Sequence, residues 1–406
     1  MLVQQRGKAL VAGGSLGGLL AANLLLRDGW DVHVFERASE ELEGRGAGLV
    51  THPELLDALA LAGAVVDESI GVRVARRITL DRAGAVVATR ELPQTFTAWS
   101  RLFNTLMAAF PPERYHNGCH LAGFEEDADA VTAVFADGVR VRGALLVAAD
   151  GIRSVIRQTL LPDARPQYAG YVAWRGLVEE SALSAHALRD LFPYFSFGLP
   201  PQEQMVAYPV AGQNNTVEPG KRRFNFVWYR PADEETTLRE LQTDADGKIW
   251  DDGIPPPLIR PAVLGQARQA AREVLAPLFA EVVAKTENLF FQPILDLAVP
   301  HMAFGRVALL GDSAFVARPH CGMGVTKAAG DALELVRALR ETADVPLALK
   351  NYETPRIAFG DRVLDVARSL GAYMQAQLHN EREREMAARY RTPEAVMRDT
   401  AVPLAD

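Results

Sequence analysis

The chain has 406 residues, of which 49% are apolar and 23% are charged, and its formal net charge is −8 at pH 7. This length indicates two domains, or one large domain with an insertion, and an acidic chain without a basic block is not expected to bind nucleic acid. Its two cysteines, Cys119 and Cys321, exclude a disulfide framework and cannot form a metal site by themselves, so we expect a reducing cytoplasm and no metal.

The N-terminal segment predicts a βαβ unit of the kind that holds the ADP half of a dinucleotide. Residues 8–12 form an apolar strand, a glycine-rich turn follows, a helix begins near Leu16, and the second strand ends at Glu36. The glycines let the backbone approach a pyrophosphate, which the positive end of the helix also attracts. Glu36 lies 23 positions after Gly13, where a carboxylate accepts both ribose hydroxyls and favours FAD or NAD over NADP.

One position departs from the G-x-G-x-x-G fingerprint, because Ser15 lies between Gly13 and Gly18 where a second glycine is usual. Serine is small, and its hydroxyl can donate to a phosphate. A buried strand–turn–helix without a ligand is the alternative interpretation. The flanking strand, the helix and the distal Glu36 together favour nucleotide binding.

The uncharged run from Ala9 to Leu26 is long enough to suggest a membrane span. Its four glycines fall within six residues and divide the run into strand, turn and helix, so we expect no membrane segment. No basic and apolar series with a cleavage site precedes it, and we therefore expect no signal peptide.

The remaining predicted elements alternate between helices and strands. In chain order they are a second glycine-rich stretch at 45–50, a helix from 53, strands over 72–90, a helix over 100–110, a meander over 120–142, a buried strand at 145–150, aromatic-rich strands over 168–230, a helix over about 262–284, a buried strand at 306–312 and helices from about 322 to the end. The aromatic-rich strands are expected to form a mixed sheet with polar loops.

Together these elements predict an α/β fold, in which a Rossmann-like nucleotide-binding domain carries an inserted mixed β-sheet domain and a helical C-terminal segment. The insertion separates the first glycine-rich turn from the last by more than 290 residues. The expected boundaries are 1–71, 95–167 and 296–350 for the nucleotide-binding domain, 72–94 and 168–295 for the sheet domain, and 351–406 for the helical segment.

Two further turns combine glycine with an acid at the end of a buried strand. Asp150–Gly151 opens a helix, and Gly311–Asp312 is followed by a loop from Pro319 to Gly324 that leads into another helix. Each turn is a weak signal by itself, because similar turns occur in many folds. Their order after the first fingerprint makes the combination specific.

In this order, the sequence resembles the FAD-dependent aromatic hydroxylases, which are single-component flavoprotein monooxygenases, over nearly the whole chain. The resemblance implies that residues 13–18 and Glu36 bind the ADP part of FAD. It also implies that Asp312 binds a ribityl hydroxyl and that Pro319 and the amides of 322–326 contact the isoalloxazine ring. The full set of implied cofactor-binding residues is Gly13, Gly14, Ser15, Leu16, Gly17, Gly18, Glu36, Arg37, Arg45, Gly48, Arg101, Asp150, Gly151, Gly311, Asp312, Pro319, Gly322, Met323, Gly324, Val325 and Thr326.

Finer features resemble the branch of this family that acts on hydroxylated pyridines, and they lie at 13–18, 169–176, 206–210 and 318–320. Phe315 departs from the family pattern, which has histidine there in many members, and Thr326 stands where many have asparagine. Neither change removes the backbone amides that are implied to bind the cofactor, so the resemblance still implies FAD.

The resemblance also implies a mechanism, in which NAD(P)H reduces FAD and dioxygen then forms a flavin 4a-hydroperoxide that attacks an electron-rich ring. The activity it implies is an FAD-dependent monooxygenase that hydroxylates a small hydroxylated aromatic ring of the hydroxypyridine or phenol type. The substrate-binding part is then the inserted sheet domain. The choice between NADH and NADPH is open, and a homodimer is suggested by the resemblance alone.

Three side chains are candidates for acid–base or hydrogen-bonding roles, namely His320 beside the glycine loop, Tyr208 on the sheet and His52 after the second glycine-rich stretch. A packed structural residue is the alternative for each. Arg175 is expected to pair with an anionic substrate or with the nicotinamide cofactor, and a surface ion pair is the simpler alternative. Apolar core filler is the preferred interpretation of Trp174, Phe195, Trp228 and Cys321.

Three other functions share part of this pattern. A flavin-dependent halogenase is disfavoured because the sequence lacks a Trp-x-Trp-x-Ile-Pro segment. A non-catalytic flavin-binding redox module would not need the aromatic sheet, although the sequence leaves this alternative open. A plain NAD dehydrogenase would leave the Asp150–Gly151 and Gly311–Asp312 turns without a purpose.

Overall fold

The computed structural model describes residues 6–39, 48–251 and 253–404, so the predicted site residue Arg45 lies outside the described residues. The strands are β1 (Lys8–Ala12), β2 (Asp31–Phe35), β3 (Gly48–Thr51), β4 (Val72–Leu80), β5 (Val86–Ala98), β6 (Tyr115–His116), β7 (Leu121–Glu126), β8 (Val131–Phe135), β9 (Arg140–Gly143), β10 (Leu145–Ala148), β11 (Gln167–Glu179), β12 (Phe195–Gly198), β13 (Gln204–Val210), β14 (Arg223–Pro231), β15 (Phe290–Asp296), β16 (Ala303–Phe304) and β17 (Val307–Leu309). The α-helices are α1 (Leu16–Arg27), α2 (Pro53–Leu61), α3 (Trp99–Ala108), α4 (Val155–Leu160), α5 (Ala185–Asp190), α6 (Arg239–Leu241), α7 (Pro261–Val274), α8 (Pro277–Lys285), α9 (Gly324–Glu341), α10 (Val345–Gly371), α11 (Glu381–Arg389) and α12 (Pro393–Asp399).

A six-stranded sheet forms the nucleotide-binding half of the fold, with the strand order β16–β17–β10–β1–β2–β6. All its neighbouring strands are parallel except β16, which runs antiparallel to β17. Helix α1 packs on β1 and β2, and β8 and β9 of a separate three-stranded sheet pack on β10 and β1. Because this sheet is covered by other elements, its central strands are continuous apolar runs.

The parallel register brings the ends of distant strands to one edge of this sheet. Ala12 of β1 is paired with Phe35 of β2 and with Ala148 of β10, and Ala148 is paired with Leu309 of β17. The turns that follow these four strands therefore meet outside the carboxyl edge, which is where open α/β sheets bind ligands.

An eight-stranded sheet forms the second half, with the order β15–β11–β14–β13–β12–β4–β5–β3. It is mixed, as predicted, because β12 runs parallel to β4 while the other pairs are antiparallel. Its edge strand β3 comes from a segment that the sequence assigned to the nucleotide-binding domain, yet β3 pairs with β5. This pairing carries His52, the residue directly after β3, to the junction of the two halves.

The central strands of the eight-stranded sheet have two faces with different neighbours. Tyr171, Tyr208 and Tyr229 lie in the same hydrophobic core as the nucleotide-binding half, and we call their side of the sheet the inner face. Trp174 and Trp228 lie in a second core with residues of α5, α7 and α8. The prediction that these two tryptophans are sheet core is therefore confirmed.

The helix predicted over 262–284 is wrong in one respect, because the structure divides it into α7 and α8. Pro277 begins α8, and Leu275 at the break is extended, with φ −92° and ψ 160°. Proline has no N–H group and disfavours helical geometry in the residue before it, which explains the interruption. Within the described residues, no helix has the length and apolar character needed to cross a bilayer.

Candidate active site

The glycine-rich turn after β1 leaves no room for a side chain at two of its positions. Gly13 has a φ of 98°, and a Cβ atom there would lie 2.3 Å from the carbonyl oxygen of Ala149. A Cβ atom on Gly18 would lie 1.9 Å from the carbonyl oxygen of Gly13. These contacts hold β1, the turn and α1 in the close geometry that directs backbone N–H groups toward a pyrophosphate.

Ser15, the departure from the fingerprint, occupies the N-cap of α1. Its hydroxyl caps no backbone N–H group of the helix, and the first turn of α1 contains no acid. The first turn of α1 itself therefore carries no carboxylate that would repel a phosphate at the positive end of the helix. The phosphate-binding role of Ser15 remains a prediction.

Glu36 is held against the glycine-rich turn by backbone amides. Its Oε2 atom accepts a hydrogen bond from the N–H of Gly14 at 2.7 Å, and its Oε1 atom accepts one from Ala38 at 2.8 Å. Tyr115, which the sequence reasoning missed, donates its hydroxyl to the carbonyl of Gly14 at 2.9 Å. Tyr115 lies in the two-residue strand β6, too short for any sequence period to reveal.

Asp150 presents an unsatisfied carboxylate oxygen at the same edge of the sheet. Its Oδ2 atom accepts a hydrogen bond from the N–H of Val155 at 2.9 Å. Its Oδ1 atom is buried without a hydrogen-bond partner among the described residues, and burial raises the pKa of this carboxyl. A buried acceptor of this kind needs a donor, and a hydroxyl group of a bound ligand supplies one.

Asp312 is fixed by a buried lysine that the sequence reasoning did not identify. The Nζ atom of Lys327 lies 2.6 Å from Oδ1 of Asp312 and donates to the carbonyl of Phe315 at 2.7 Å. The lysine side chain is 2% exposed, whereas that of Asp312 is 54% exposed. The aspartate therefore offers an oxygen to the outside, and the signal in the sequence was one lysine between small and apolar residues of α9.

A second buried ion pair supports the backbone of the same turn. Asp331 is fully buried, and its Oδ2 atom accepts a hydrogen bond from the N–H of Gly311 at 2.9 Å. Its Oδ1 atom lies 2.6 Å from Nε of Arg356 on α10. The pair ties α9, α10 and the Gly311–Asp312 turn together.

The loop before α9 ends in an open helix N-terminus. Residues 319–321 form a short 3-10 turn, Gly322 is left-handed with a φ of 68°, and α9 begins at Gly324. Met323 at the N-cap provides no side-chain cap, and no atom of the described residues lies within 4 Å of a Cβ placed on Gly324. The amides of the first turn of α9 thus face open space, where they can stabilise negative charge on a flat ring system.

These features fit the cofactor that the sequence predicted. The glycine cradle, the orphaned oxygen of Asp150, the exposed oxygen of Asp312 and the open end of α9 all follow strands of one sheet edge or lead from them. Together they offer a pyrophosphate site, hydroxyl acceptors and a positive helix end, which are the groups that a dinucleotide requires.

Three predicted cofactor-binding residues have other surroundings in the structure. Arg37 is exposed. Gly48 lies on β3, where its N–H donates to Asn225 at 3.0 Å and its carbonyl accepts from Tyr208. Arg101 on α3 contacts the hydroxyl of Ser69, and its Nε atom is buried without a described partner. Their roles toward FAD remain predictions.

His320 is completely enclosed and uncharged. Its Nε2 atom lies 2.7 Å from the hydroxyl of Tyr171, and burial, with Arg318 nearby, lowers the pKa of the imidazole to about 3. Burial raises the pKa of Tyr171, so the phenol keeps its proton. The other ring nitrogen of His320, Nδ1, has no hydrogen-bond partner among the described residues.

His52 contacts the first turn of α9. Its Nδ1 atom lies 3.1 Å from the hydroxyl of Thr326, and its Nε2 atom is buried without a partner in the described part of the chain. Burial lowers the pKa of this imidazole, and the carbonyl of Ala401 partly opposes the shift. Thr326 thus links its side chain to His52, although it stands where many family members have asparagine.

Tyr208 and Phe195 form an aromatic wall rather than an acid–base group. The ring of Tyr208 lies 4.3 Å from that of Phe96 and 5.4 Å from that of Phe195, centroid to centroid. Its hydroxyl donates to the carbonyl of Gly48 at 2.8 Å, and burial raises its pKa to about 12. This arrangement favours the structural interpretation of Tyr208 over the catalytic one.

Arg175 lies on the inner face, two positions along β11 from Ala173 and close to two tyrosines. Its charge acts on the pKa values of both Tyr208 and Tyr229. Its Nε atom is buried without a hydrogen-bond partner within the described ranges. The surface ion pair considered from the sequence is not found among the described residues.

A separate cavity of about 670 Å³ is lined by residues of β11, α10 and α11, and it contains none of the predicted site residues. Its charged side chains largely satisfy one another, since Asp296 pairs with Arg318 and Arg368, and Asp365 pairs with Arg382. The arrangement lacks unpaired polar groups of the kind found around His320, so we place the chemistry at the inner face instead.

The buried neutral state of His320 makes stability depend on pH. Between the ordinary imidazole pKa of 6.5 and the folded value of about 3, the unfolded chain binds a proton that the folded chain does not. We therefore expect His320 to contribute a loss of about 1.4 kcal/mol in the free energy of unfolding per pH unit below 6. Denaturant melts between pH 4 and 7 measure this slope.

The controls for this prediction are two substitutions. His320→Gln keeps an acceptor for Tyr171 and should give a shallower pH slope than the unchanged protein. His186→Gln alters a histidine whose side chain is 63% exposed, and it should leave the slope as it was. An equal slope in the His320→Gln protein would show that His320 titrates normally.

Comparisons with known proteins agree with this geometry. One protein-family model described as FAD binding domain-like matches residues 168–296, and one described as FAD binding domain matches residues 266–367. The chain is 33% identical over 370 residues to 2,6-dihydroxypyridine 3-monooxygenase from Paenarthrobacter nicotinovorans, which covers 90% of this chain and 91% of that protein.

Two solved structures show the same fold. 2,6-Dihydroxypyridine-3-hydroxylase from Arthrobacter nicotinovorans aligns with a TM-score of 0.85 and 31% identity, covering 91% of this chain and 93% of that one. A variant of HpxO from Klebsiella pneumoniae, complexed with FAD, aligns with a TM-score of 0.75 and 25% identity, covering 96% and 94% of the two chains.

The similarity covers about nine-tenths of both chains. The residues gathered there fit FAD, and FAD is the cofactor of this protein. The chain belongs to the FAD-dependent aromatic monooxygenases.

Proposed function

We propose that this protein hydroxylates a small, hydroxylated aromatic ring of the hydroxypyridine or phenol type. In the overall reaction, NAD(P)H, a proton, dioxygen and a ring C–H bond yield NAD(P)⁺, water and a ring C–OH bond. FAD, when bound, supplies the activation of dioxygen. The protein's own residues bind and orient the ring and keep water away from it.

The observation that carries this proposal is a pair of unused donors on an aromatic surface. Nδ1 of His320 has no partner and is a donor when Tyr171 donates to Nε2, and Arg175 has a buried Nε atom without a partner within the described chain. Both lie close to Tyr229, whose ring centroid is 4.4 Å from that of His320. A ring oxygen satisfies such donors, and an oxyanion satisfies them best.

The tyrosines of the inner face are unsuited to remove a proton from the substrate. Burial raises the pKa values of Tyr171, Tyr208 and Tyr229, so all three remain protonated. The low pKa of His320 likewise makes it a weak base. We infer that Arg175 favours the ionised substrate electrostatically, which suits rings whose hydroxyl groups are already acidic.

The segments that resemble the hydroxypyridine branch support the substrate class. Segment 169–176 contains Tyr171 and Arg175, and 206–210 contains Tyr208. All three belong to the inner face, so the branch-specific residues coincide with the proposed ring-binding surface. The relative from Paenarthrobacter nicotinovorans, by its name, acts on a dihydroxypyridine.

The test is effector-stimulated oxidation of NADH and NADPH by the FAD-loaded protein. Dihydroxypyridines and phenols are compared with pyridine and benzene analogues that lack the hydroxyl groups. We expect severalfold stimulation only by hydroxylated rings, with a product that is heavier by one oxygen atom in mass spectrometry. A halide-dependent product would favour a halogenase, and a flavin spectrum without stimulation by any ring would favour a redox module.

A further inference from the structure

Arg77 is a fully buried cation with no carboxylate partner in the described chain. It lies on β4, and its Nη1 atom donates to the carbonyls of Met397 and Thr400, each at 2.7 Å. Its Nη2 atom donates to the carbonyl of Ala401 at 3.3 Å. A buried charge requires compensation, and main-chain carbonyls at the end of α12 provide it here.

These carbonyls belong to residues 393–401, which we call the C-terminal strap. Besides Arg77, Gln94 of β5 donates its side-chain amide to the carbonyl of Ala401. The guanidinium of Arg77 also lies 4.9 Å from the ring centroid of Phe195, in the aromatic wall. Arg77 is therefore the charged side chain that ties the strap to the eight-stranded sheet, in addition to the apolar packing of Val396 and Met397 in the main core.

The other side of the strap contacts the loop that precedes α9. The N–H of Ala401 donates to the carbonyl of His320 at 2.8 Å, and its Cα atom lies 3.2 Å from the position of a Cβ on Gly322. Its carbonyl also acts on the imidazole of His52. Ala401 has a φ of 51°, a left-handed geometry that non-glycine residues adopt only when their surroundings impose it.

We propose that the C-terminal strap is a wall of the substrate pocket and that Arg77 is the positioning residue that holds it closed over His52 and His320. This inference rests on the proposed hydroxylase function. Water at the reacting site diverts the reaction, because NAD(P)H, a proton and dioxygen then yield NAD(P)⁺ and hydrogen peroxide without any change in the ring. A closed strap excludes water, so that one oxygen atom of dioxygen is transferred to the ring and hydrogen peroxide is not released.

The contact between Arg77 and the C-terminal strap can break and form again. When the strap leaves, the guanidinium of Arg77 regains water in place of the strap's carbonyls, so opening does not leave a buried charge unpaired. Opening also exposes Val396 and Met397, which are 1% and 2% exposed in the closed strap, so we expect the strap to open only transiently for exchange of substrate and product.

The test compares Arg77→Met with Arg77→Lys and with a matched control on the facing strand. Arg90, which is paired with Arg77 in the register of β4 and β5, is exposed, so Arg90→Met removes the same charge without touching the strap. The main measurement is the ratio of hydrogen peroxide released to NAD(P)H consumed in the presence of a ring substrate. We expect this ratio to rise severalfold in Arg77→Met and less in Arg77→Lys. The ratio should stay unchanged in Arg90→Met, and the FAD affinity should stay unchanged in all three variants.

A second measurement does not depend on activity. Trypsin cleavage after Arg391 and Arg398, followed by mass spectrometry, reports whether the strap is docked, and we expect faster cleavage in Arg77→Met. Gln94→Leu, a milder change at the same contact, replaces it if Arg77→Met does not fold. Unchanged coupling together with unchanged cleavage would overturn the inference, whereas absence of ring-stimulated NAD(P)H oxidation in the unaltered protein would overturn the proposed function instead.

Discussion

Replacing Gly18 by alanine is expected to abolish FAD binding while leaving the secondary structure in place. The added Cβ atom would lie 1.9 Å from the carbonyl oxygen of Gly13, which is far inside van der Waals contact, and both partners are backbone. The turn and the start of α1 must then separate, and the amides that face the pyrophosphate move with them. In enzymes, a misplacement of about 1 Å can lower the reaction rate by on the order of a hundredfold.

The measurement is the flavin absorbance that remains with the purified protein, together with a titration of the apoprotein with FAD. Gly265→Ala is the matched control, because Gly265 lies in the middle of α7, is exposed, and has no atom within 4 Å of an added Cβ. This control should bind FAD normally and gain up to about 1 kcal/mol of stability from helix propensity. Normal FAD affinity in Gly18→Ala would contradict the assignment of this turn.

Asp331→Asn is expected to destabilise the protein by about 3–5 kcal/mol, which is the usual consequence of removing one partner of a buried ion pair. Both carboxylate oxygens accept hydrogen bonds, one from Gly311 and one from Arg356. The side-chain amide of asparagine must turn its NH₂ group toward either the N–H of Gly311 or the guanidinium of Arg356, and both of these are donors. The guanidinium also loses its counter-charge. Because Gly311 precedes Asp312, FAD affinity should fall as well.

Chemical denaturation with FAD in excess and without FAD separates these two effects. Arg337→Gln is the control, since Arg337 is half exposed and pairs with Glu334 and Glu341 at the surface of the same helix. Its loss should cost less than about 1 kcal/mol. If Asp331→Asn matched this control, the buried pair would not support the turn.

The sequence was a good guide to the cofactor edge because that edge is built from local signals. Each turn follows a buried parallel strand, and its glycine or acid is visible within a few residues of the strand end. Glu36 and Asp312 were found in this way. The parallel sheet then brings the turns together, which is a general property of the fold and needs no information about individual side chains.

The supporting residues could not be found in the same way. Tyr115, Lys327 and Arg356 act through contacts with chain segments that the fold, not the local sequence, brings beside them. Arg77 reads as an ordinary charge on an alternating strand, and its carbonyl partners are more than 300 positions away. Local periodicity contains no record of such partners, so tertiary structure decides them.

The break between α7 and α8 shows the opposite case, because its cause was visible in the sequence. Pro277 lies within the segment predicted as one helix, and a proline in a helix interior removes a hydrogen bond and disturbs the preceding residue. The apolar spacing of a helix continues through the break. Spacing alone therefore predicts one helix, and only the proline indicates two.

The two faces of the eight-stranded sheet have different tasks, because one is the proposed ring-binding surface and the other packs on helices. Residues such as Ala173 and Val227 lie on the inner face, where we propose that the ring binds, while their immediate neighbours Trp174 and Trp228 pack against the layer of helices behind. A library that varies only the inner-face positions can therefore search for new ring preferences while the residues that pack on these helices stay unchanged. Because neighbouring residues of a strand face opposite sides, residues of the inner face can be substituted, in evolution or by design, while those that pack on the helices are kept.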